Sequence, residues 1–214
     1  VLQKRRHEGF GLGLQPERQT TTRRIEMGRI VVTEFVSLDG VMEDPGGAED
    51  FVHGGWTFKF DRGAEGDKFK LDEAMEAQAQ LLGRVTFEGF AAAWPSMEGP
   101  FADKFNSMPK YVVSSTLESP EWNNSTVLKG EVAEEVSKLR ESVNGDVLVA
   151  GSRQLVHALF EHDLVDELRL MVFPVVLGQG KRLFGATSDQ KRLQLVDSKV
   201  AGDGIAILIY RPTT

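Results

Sequence analysis

Two stretches of the chain share one design: an apolar run stops at glycine, and a helix-forming run starts beside it with a basic or hydroxyl residue. They are Leu81-Leu82-Gly83-Arg84-Val85-Thr86-Phe87 and Val147-Leu148-Val149-Ala150-Gly151-Ser152-Arg153-Gln154-Leu155. A helix start offers unpaired N–H groups and the positive end of the helix dipole, glycine lets a phosphate approach the backbone, and Arg84 or Arg153 adds a fixed charge. A third strand-like run, Tyr111-Val112-Val113, ends in Ser114-Ser115-Thr116, a hydroxyl-rich carboxyl end of the kind where α/β sheets bind ligands. Each taken alone also fits an ordinary turn between strand and helix. Together they suit a ligand with several phosphates.

Other residues with chemical potential are more ambiguous. Asp39, before Gly40, reads equally as a proton-relay or substrate-orienting acid and as the cap of an Asp-Gly turn. Glu34 sits within a strand-like run and is expected to face solvent; on a ligand side it would be a functional clue. His157 and His162 are five apart, not at the i, i+4 spacing of a metalloprotease pair, so no metal site is assigned. Gly178-Gln179-Gly180-Lys181-Arg182 lacks the Ser/Thr and the upstream glycine of a P-loop, and no Gly-x-Ser-x-Gly elbow is present. Trp56, Trp94, Phe58 and Phe60 fit either a substrate pocket or lid packing.

The composition narrows the classes. The 214 residues, 41% hydrophobic and 27% charged, suit one compact domain. The formal net charge of -7 argues against general affinity for nucleic acid or an anionic membrane. Residues 1–26 carry six basic and three acidic groups, a net of +3, which leaves the remainder at -10. This segment reads either as a basic nucleic-acid arm or, as we expect, as a disordered extension translated upstream of Met27 or added for expression. With no cysteine, disulfides, thiolate metal sites and cysteine nucleophiles are excluded. That composition, with no apolar run long enough for a membrane span, fits a cytoplasmic protein.

The elements that must position these residues alternate. Arg29–Val36 reads as a buried strand ending in the turn Ser37-Leu38-Asp39-Gly40. Glu43–Gly66 follows, a Gly-, Pro- and acid-rich loop, too long and too aromatic to be idle, that closes over something. A helix is expected over Asp67–Gln80, with Leu71, Met75, Gln78 and Leu82 near one face, running into a strand at Leu81-Leu82. The spacing then predicts a helix over Val85–Ala93, a Pro-rich loop over Trp94–Pro109, a strand over Lys110–Ser114, turn residues at Asn123–Thr126 and a helix over Glu131–Val143. The strand Asp146–Ala150, a helix over Arg153–His162, the strand Leu168–Val176 and a hairpin turning at Gly202-Asp203-Gly204 complete the chain. The class is α/β: a three-layer, mostly parallel sheet with helices on both faces and a C-terminal antiparallel hairpin, in one domain over residues 27–214.

Five motifs in order, Ser37-Leu38-Asp39-Gly40, Leu82-Gly83-Arg84-x-Thr86-Phe87, Val113-Ser114-Ser115, Val149-Ala150-Gly151-Ser152 and Phe173-Pro174-Val175-Val176-Leu177-Gly178-x-Gly180, resemble the dihydrofolate reductase-like superfamily. The branch they most resemble is the reductase domain of bifunctional riboflavin-biosynthesis deaminase-reductases, and the match runs from Met27 to Pro212. The resemblance implies an NADPH-dependent reductase acting on a small heterocycle, similar to 5-amino-6-(5-phosphoribosylamino)uracil reductase, and a homodimer.

By position it assigns Gly83, Arg84 and Thr86 to the cofactor phosphates, Ser114 and Ser115 to the 2′-phosphate end, and Gly151, Ser152 and Arg153 to the pyrophosphate turn. Asp39 becomes the catalytic candidate, and Gly40, Trp56, Gly178 and Gly180 border the substrate. Two departures matter. Folate-reducing members carry a Trp-x-x-Pro-x-Asp segment, whereas Trp56 is followed by Thr57-Phe58-Lys59-Phe60, which disfavours folate reduction. A chain without cysteine also carries no zinc deaminase. The alternative is a non-catalytic nucleotide-binding or regulatory module on the same fold.

Overall fold

A computed structural model describes residues 27–213. The segment 1–26, with both readings placed on it, lies outside the described residues. The β-branched run after Met27 forms β1 (Arg29–Ser37). The other strands are β2 (Ala79–Gly83), β3 (Lys110–Val113), β4 (Ser125–Leu128), β5 (Asp146–Ala150), β6 (Glu167–Phe173), β7 (Leu193–Ala201) and β8 (Ile205–Pro212). They form one eight-stranded sheet in the order β4-β3-β2-β5-β1-β6-β8-β7. All neighbours from β4 to β6 run parallel, and β8 and β7 add the antiparallel hairpin.

Successive side chains of the central strands go to opposite faces. Ile30, Val32, Leu81, Val147 and Val149 pack with α4 (Val132–Ser142) and α5 (Arg153–Glu161). Val31, Leu82, Val112 and Leu148 pack with α1 (Gly63–Glu76), α2 (Arg84–Ala93) and α3 (Pro100–Ser107). Covered on both faces, β1 has no solvent side, which is why its sequence is a mostly apolar run rather than an alternation. Because every strand from β4 to β6 points the same way, the ends of β1, β2, β3, β5 and β6 that lead into the candidate residues line one edge.

Four of the expected elements differ in the structure. The first helix starts earlier and ends at Glu76; it turns Glu73 and Ala74 inward and leaves Met75 exposed, so the Leu71/Met75/Gln78/Leu82 face is not its buried one. The Pro-rich stretch holds a 3-10 turn at Trp94–Ser96 and all of α3, and both begin with proline in the first turn, where its missing N–H costs nothing. The residues after Asn123-Asn124 enter the short edge strand β4. The strand expected to run to Val176 ends at Phe173, where Pro174 can no longer donate to the ladder.

The loop after β1 is packed rather than open. Asp44, which is buried, accepts from the Ala48 amide at 2.6 Å, and Thr57 Oγ1 donates to the Pro45 carbonyl at 2.7 Å. Trp56 is fully buried, its Nε1 donates to the Glu43 carbonyl at 2.9 Å, and its ring meets Phe173 edge-on at 5.3 Å. Its large apolar area therefore anchors the loop to the end of β6. Trp56 presents no surface to a substrate, contrary to the expectation for it.

Candidate functional site

The helices α2 and α5 cover opposite faces of the sheet, yet their first turns meet at its carboxyl edge. Ser152 Oγ accepts from the Gly83 amide at 2.6 Å and donates to Thr86 Oγ1 at 2.9 Å. Serine at a helix N-cap ordinarily turns its oxygen back onto its own first turn. Here it reaches the other helix, and among the described residues no side chain caps either α2 or α5. Two sets of first-turn N–H groups are thus left for an outside acceptor, with the two dipoles adding at one place.

The glycines are required by this approach. A Cβ on Gly83 would lie 2.9 Å from Ser152 Oγ, and one on Gly151 would lie 3.0 Å from Thr86 Cγ2. Gly151 also has a φ of +76°, and Ser152 follows it in the left-handed region at φ 68° and ψ 67°. For a residue with a side chain that conformation costs on the order of 1–3 kcal/mol and persists only where its surroundings hold it. Its two hydroxyl hydrogen bonds do so.

Arg84 and Arg153 differ. Arg84 is half exposed and pairs with Glu88 one turn along at 3.1 Å, an arrangement weak enough to be exchanged for a stronger acceptor. Arg153 Nε donates to the Arg182 carbonyl at 2.9 Å, which ties the start of α5 to the segment after β6. Ser114 and Ser115 lie at the end of β3, beside the β2 strand that leads to Gly83. Ser114 Oγ accepts from the Thr116 and Leu117 amides at 3.2 and 3.0 Å, while Ser115 is exposed. They share the edge but form no hydrogen bond with the α2–α5 junction.

Asp39, Gly40, Gly178 and Gly180 form a second group. Asp39 Oδ1 accepts from Ser37 Oγ at 2.7 Å and the Leu177 amide at 3.1 Å, and Oδ2 accepts from the Gly178 amide at 3.0 Å. The Gly40 carbonyl accepts from the Leu183 amide at 2.9 Å, Arg182 donates to the Asp39 carbonyl, and Glu43 pairs with Lys181. Gly180 is hemmed in: a Cβ there would meet Val41 at 2.7 Å. The loop after β1 and the loop after β6 are therefore one clasped unit.

The Ser37 hydroxyl, with the two amides, holds the Asp39 carboxyl down at about 2. A group so firmly ionised is a clamp and not a proton source at neutral pH, which separates it from the relay role considered for it.

Two further contributors lie outside the site assigned from the motifs. Glu34 is only 6% exposed, and its Oε1 accepts from the Gly151 amide at 2.9 Å; burial pushes it up to about 8. The expectation of a solvent-facing residue fails because β1 has no such face. Arg182 bridges the two groups, donating to Asp39 through its side chain and accepting from Arg153 through its carbonyl. A Gly-x-Gly-Lys-Arg string carries no sign of that partner. Among the described residues no group of three or more His, Asp or Glu is placed to hold a metal ion, and no helix is long and apolar enough to cross a membrane.

Residues 29–207 match the RibD C-terminal domain family. The chain is 28% identical over 194 residues to the uncharacterized protein YyaP of Bacillus subtilis (strain 168), covering 88% of this chain and 97% of that one.

A putative riboflavin biosynthesis protein from Shewanella sp. PV-4 superposes with a TM-score of 0.71 at 22% identity, covering 87% of this chain and 99% of the other. The Thermotoga maritima diaminohydroxyphosphoribosylaminopyrimidine deaminase/5-amino-6-(5-phosphoribosylamino)uracil reductase gives a TM-score of 0.57 at 13% identity, covering 87% of this chain and 57% of that longer one. With its mostly parallel sheet, closing hairpin and family match, the chain belongs to the RibD C-terminal domain family and has the dihydrofolate reductase-like fold.

Proposed function

We propose that the protein is an NADPH-dependent oxidoreductase acting on a small heterocyclic substrate, of the class that the Thermotoga relative's name describes. The observation that carries this reading is the junction at Ser152. Two uncapped helix starts converge there, joined through Ser152 with each glycine packed against the opposite helix start, and their first-turn N–H groups suit the phosphates of a dinucleotide. Gly83, Arg84, Thr86, Gly151, Ser152 and Arg153 would hold those phosphates, and Ser114 and Ser115 the 2′-phosphate end.

When bound, NADPH supplies the hydride. The chain's own work is to orient and enclose. Arg84 exchanges Glu88 for phosphate, Ser152 keeps the two helix starts in register, and the Asp39 clamp holds the 177–183 segment against the loop after β1, on the substrate side. Glu34, neutral at pH 7, keeps its proton on the carboxyl group behind the Gly151 turn. Acting in this way, the residues contribute by positioning more than by covalent chemistry. We also propose a homodimer, for which light scattering should return twice the 23.7 kDa chain mass.

The test is titration with NADPH and, separately, NADH, followed by tryptophan fluorescence and by energy transfer to the nicotinamide. Micromolar binding of NADPH with at least tenfold weaker NADH supports the reading. Binding without oxidation of NADPH by 5-amino-6-(5-phosphoribosylamino)uracil or related heterocycles would favour the non-catalytic module, and failure of both nucleotides to bind would overturn the cofactor assignment.

A further inference from the structure

Among the described residues, the carboxyl of Glu34 is the one titratable side chain hydrogen-bonded to the backbone of the proposed phosphate site. It projects from the middle of the sheet, is almost wholly buried, and takes the Gly151 amide at 2.9 Å. With φ at +76°, Gly151 turns that amide inward, where it needs an acceptor from the protein. The next residue is Ser152, whose hydroxyl joins α5 to Gly83 and Thr86. A glutamine or a backbone carbonyl could accept the same hydrogen bond. A carboxyl adds the capacity to change charge directly behind a turn assigned above to phosphate.

Resting on the reading of this turn as a dinucleotide site, we propose that Glu34 is a proton-dependent positioning residue: neutral, it holds the Gly151–Ser152 turn for phosphate, and ionised, it sets a negative charge behind that turn and weakens cofactor binding.

The surroundings give the direction. Burial raises the carboxyl to about 8, against the Gly151 hydrogen bond, which lowers it. From α1, Lys70 favours the charged form and Glu73 opposes it; these two also share Thr33, whose Oγ1 lies 3.1 Å from Lys70 Nζ and 3.0 Å from Glu73 Oε1. On α5, Arg153 and His157 are engaged by the carbonyls of Arg182 and Leu183, at 2.9 and 2.6 Å. Glu34 is thus neutral below about 8 and gains its charge as the pH rises through that value. A bound pyrophosphate would resist the ionisation further, so affinity falls on the alkaline side.

The experiment measures the NADPH dissociation constant from pH 7 to 9.5, above the range near 6 where a phosphate monoester itself titrates. It is run on the wild type and on Glu34→Gln, together with the Gly151 amide resonance of the ligand-free wild type over the same range. The expected result is at least tenfold weaker binding at the alkaline end in the wild type, less than threefold change in Glu34→Gln, and a Gly151 amide shift that titrates. Parallel pH profiles in the two proteins overturn the switch and leave the cofactor assignment intact. A Gly151 amide that does not titrate overturns the switch without reference to any ligand or variant. Absence of NADPH binding by the wild type at every pH overturns both readings.

Discussion

Ser152 Oγ lies 2.6 Å from the Gly83 nitrogen, so a single hydroxyl couples the start of a helix on one face of the sheet to the start of a helix on the other. Its second hydrogen bond, to Thr86 Oγ1, makes the coupling two-pointed. Ser152→Ala leaves the Gly83 amide without its acceptor in a crowded junction. The expected cost is about 1–3 kcal/mol of folding stability, with NADPH affinity reduced roughly tenfold, checked by urea unfolding and by fluorescence titration. Unchanged affinity would show that the junction does not receive phosphate.

Arg84 should separate binding from folding. Its pair with Glu88 is exposed on both sides, so Arg84→Ala is expected to leave the melting temperature nearly unchanged. Loss of a charge-assisted phosphate contact should still weaken NADPH by about 1.5 to 3 kcal/mol. Calorimetric titration beside a thermal melt distinguishes the two effects.

Asp39 gives a pH signature of the opposite sign to that of Glu34. Because the folded protein holds its carboxyl below the ordinary value of 3.8, at about 2, its stabilising contribution is complete above that ordinary value and fades as the pH falls toward about 2. Asp39→Asn replaces one acceptor oxygen with an NH2 facing backbone amides. The variant should melt below the wild type at pH 6, with the gap closing between pH 4 and pH 2. Hydrogen exchange should locate the loosening at Leu177 and Gly178, and a uniform gap across that range would refute the clamp.

Phe173 tests the anchoring of the loop. It is fully buried and meets Phe35, Trp56 and Phe60 edge-on, with centroids at 5.5, 5.3 and 5.8 Å. Phe173→Ala should cost about 3–5 kcal/mol and shift tryptophan emission to the red as Trp56 loses its neighbour. Stability within 1 kcal/mol of the wild type would mean that the loop packs independently of β6.

Much of this architecture was legible because its signals are local. Gly151-Ser152-Arg153 after four apolar residues announces a strand stopping and a helix starting, and Gly202-Asp203-Gly204 announces a hairpin. Glu34 was misjudged because a short apolar run does not reveal whether a strand has one buried face or two; only the helices packed on both faces of the sheet decide that. Arg182 and Asp39 are joined across the fold, and no spacing rule connects them. In α3, the proline that suggested a loop marks instead the first turn of an eight-residue helix. Ser125–Leu128 is too short and too polar to announce an edge strand.

The place of β1 in the sheet has a consequence for biosynthesis. Val32 pairs with Val149 on one side and Leu168 on the other, so β1, the earliest strand among the described residues, waits for the fifth and sixth of the eight strands. At translation rates of about 5–20 residues per second, that wait is on the order of ten seconds. Throughout it a seven-residue segment rich in valine and isoleucine has both edges unpaired, the kind of sequence that joins other chains when left exposed. Such long-range parallel pairing also folds slowly. The central position that buries β1 so completely in the finished protein leaves it open to such contacts while the chain is on the ribosome.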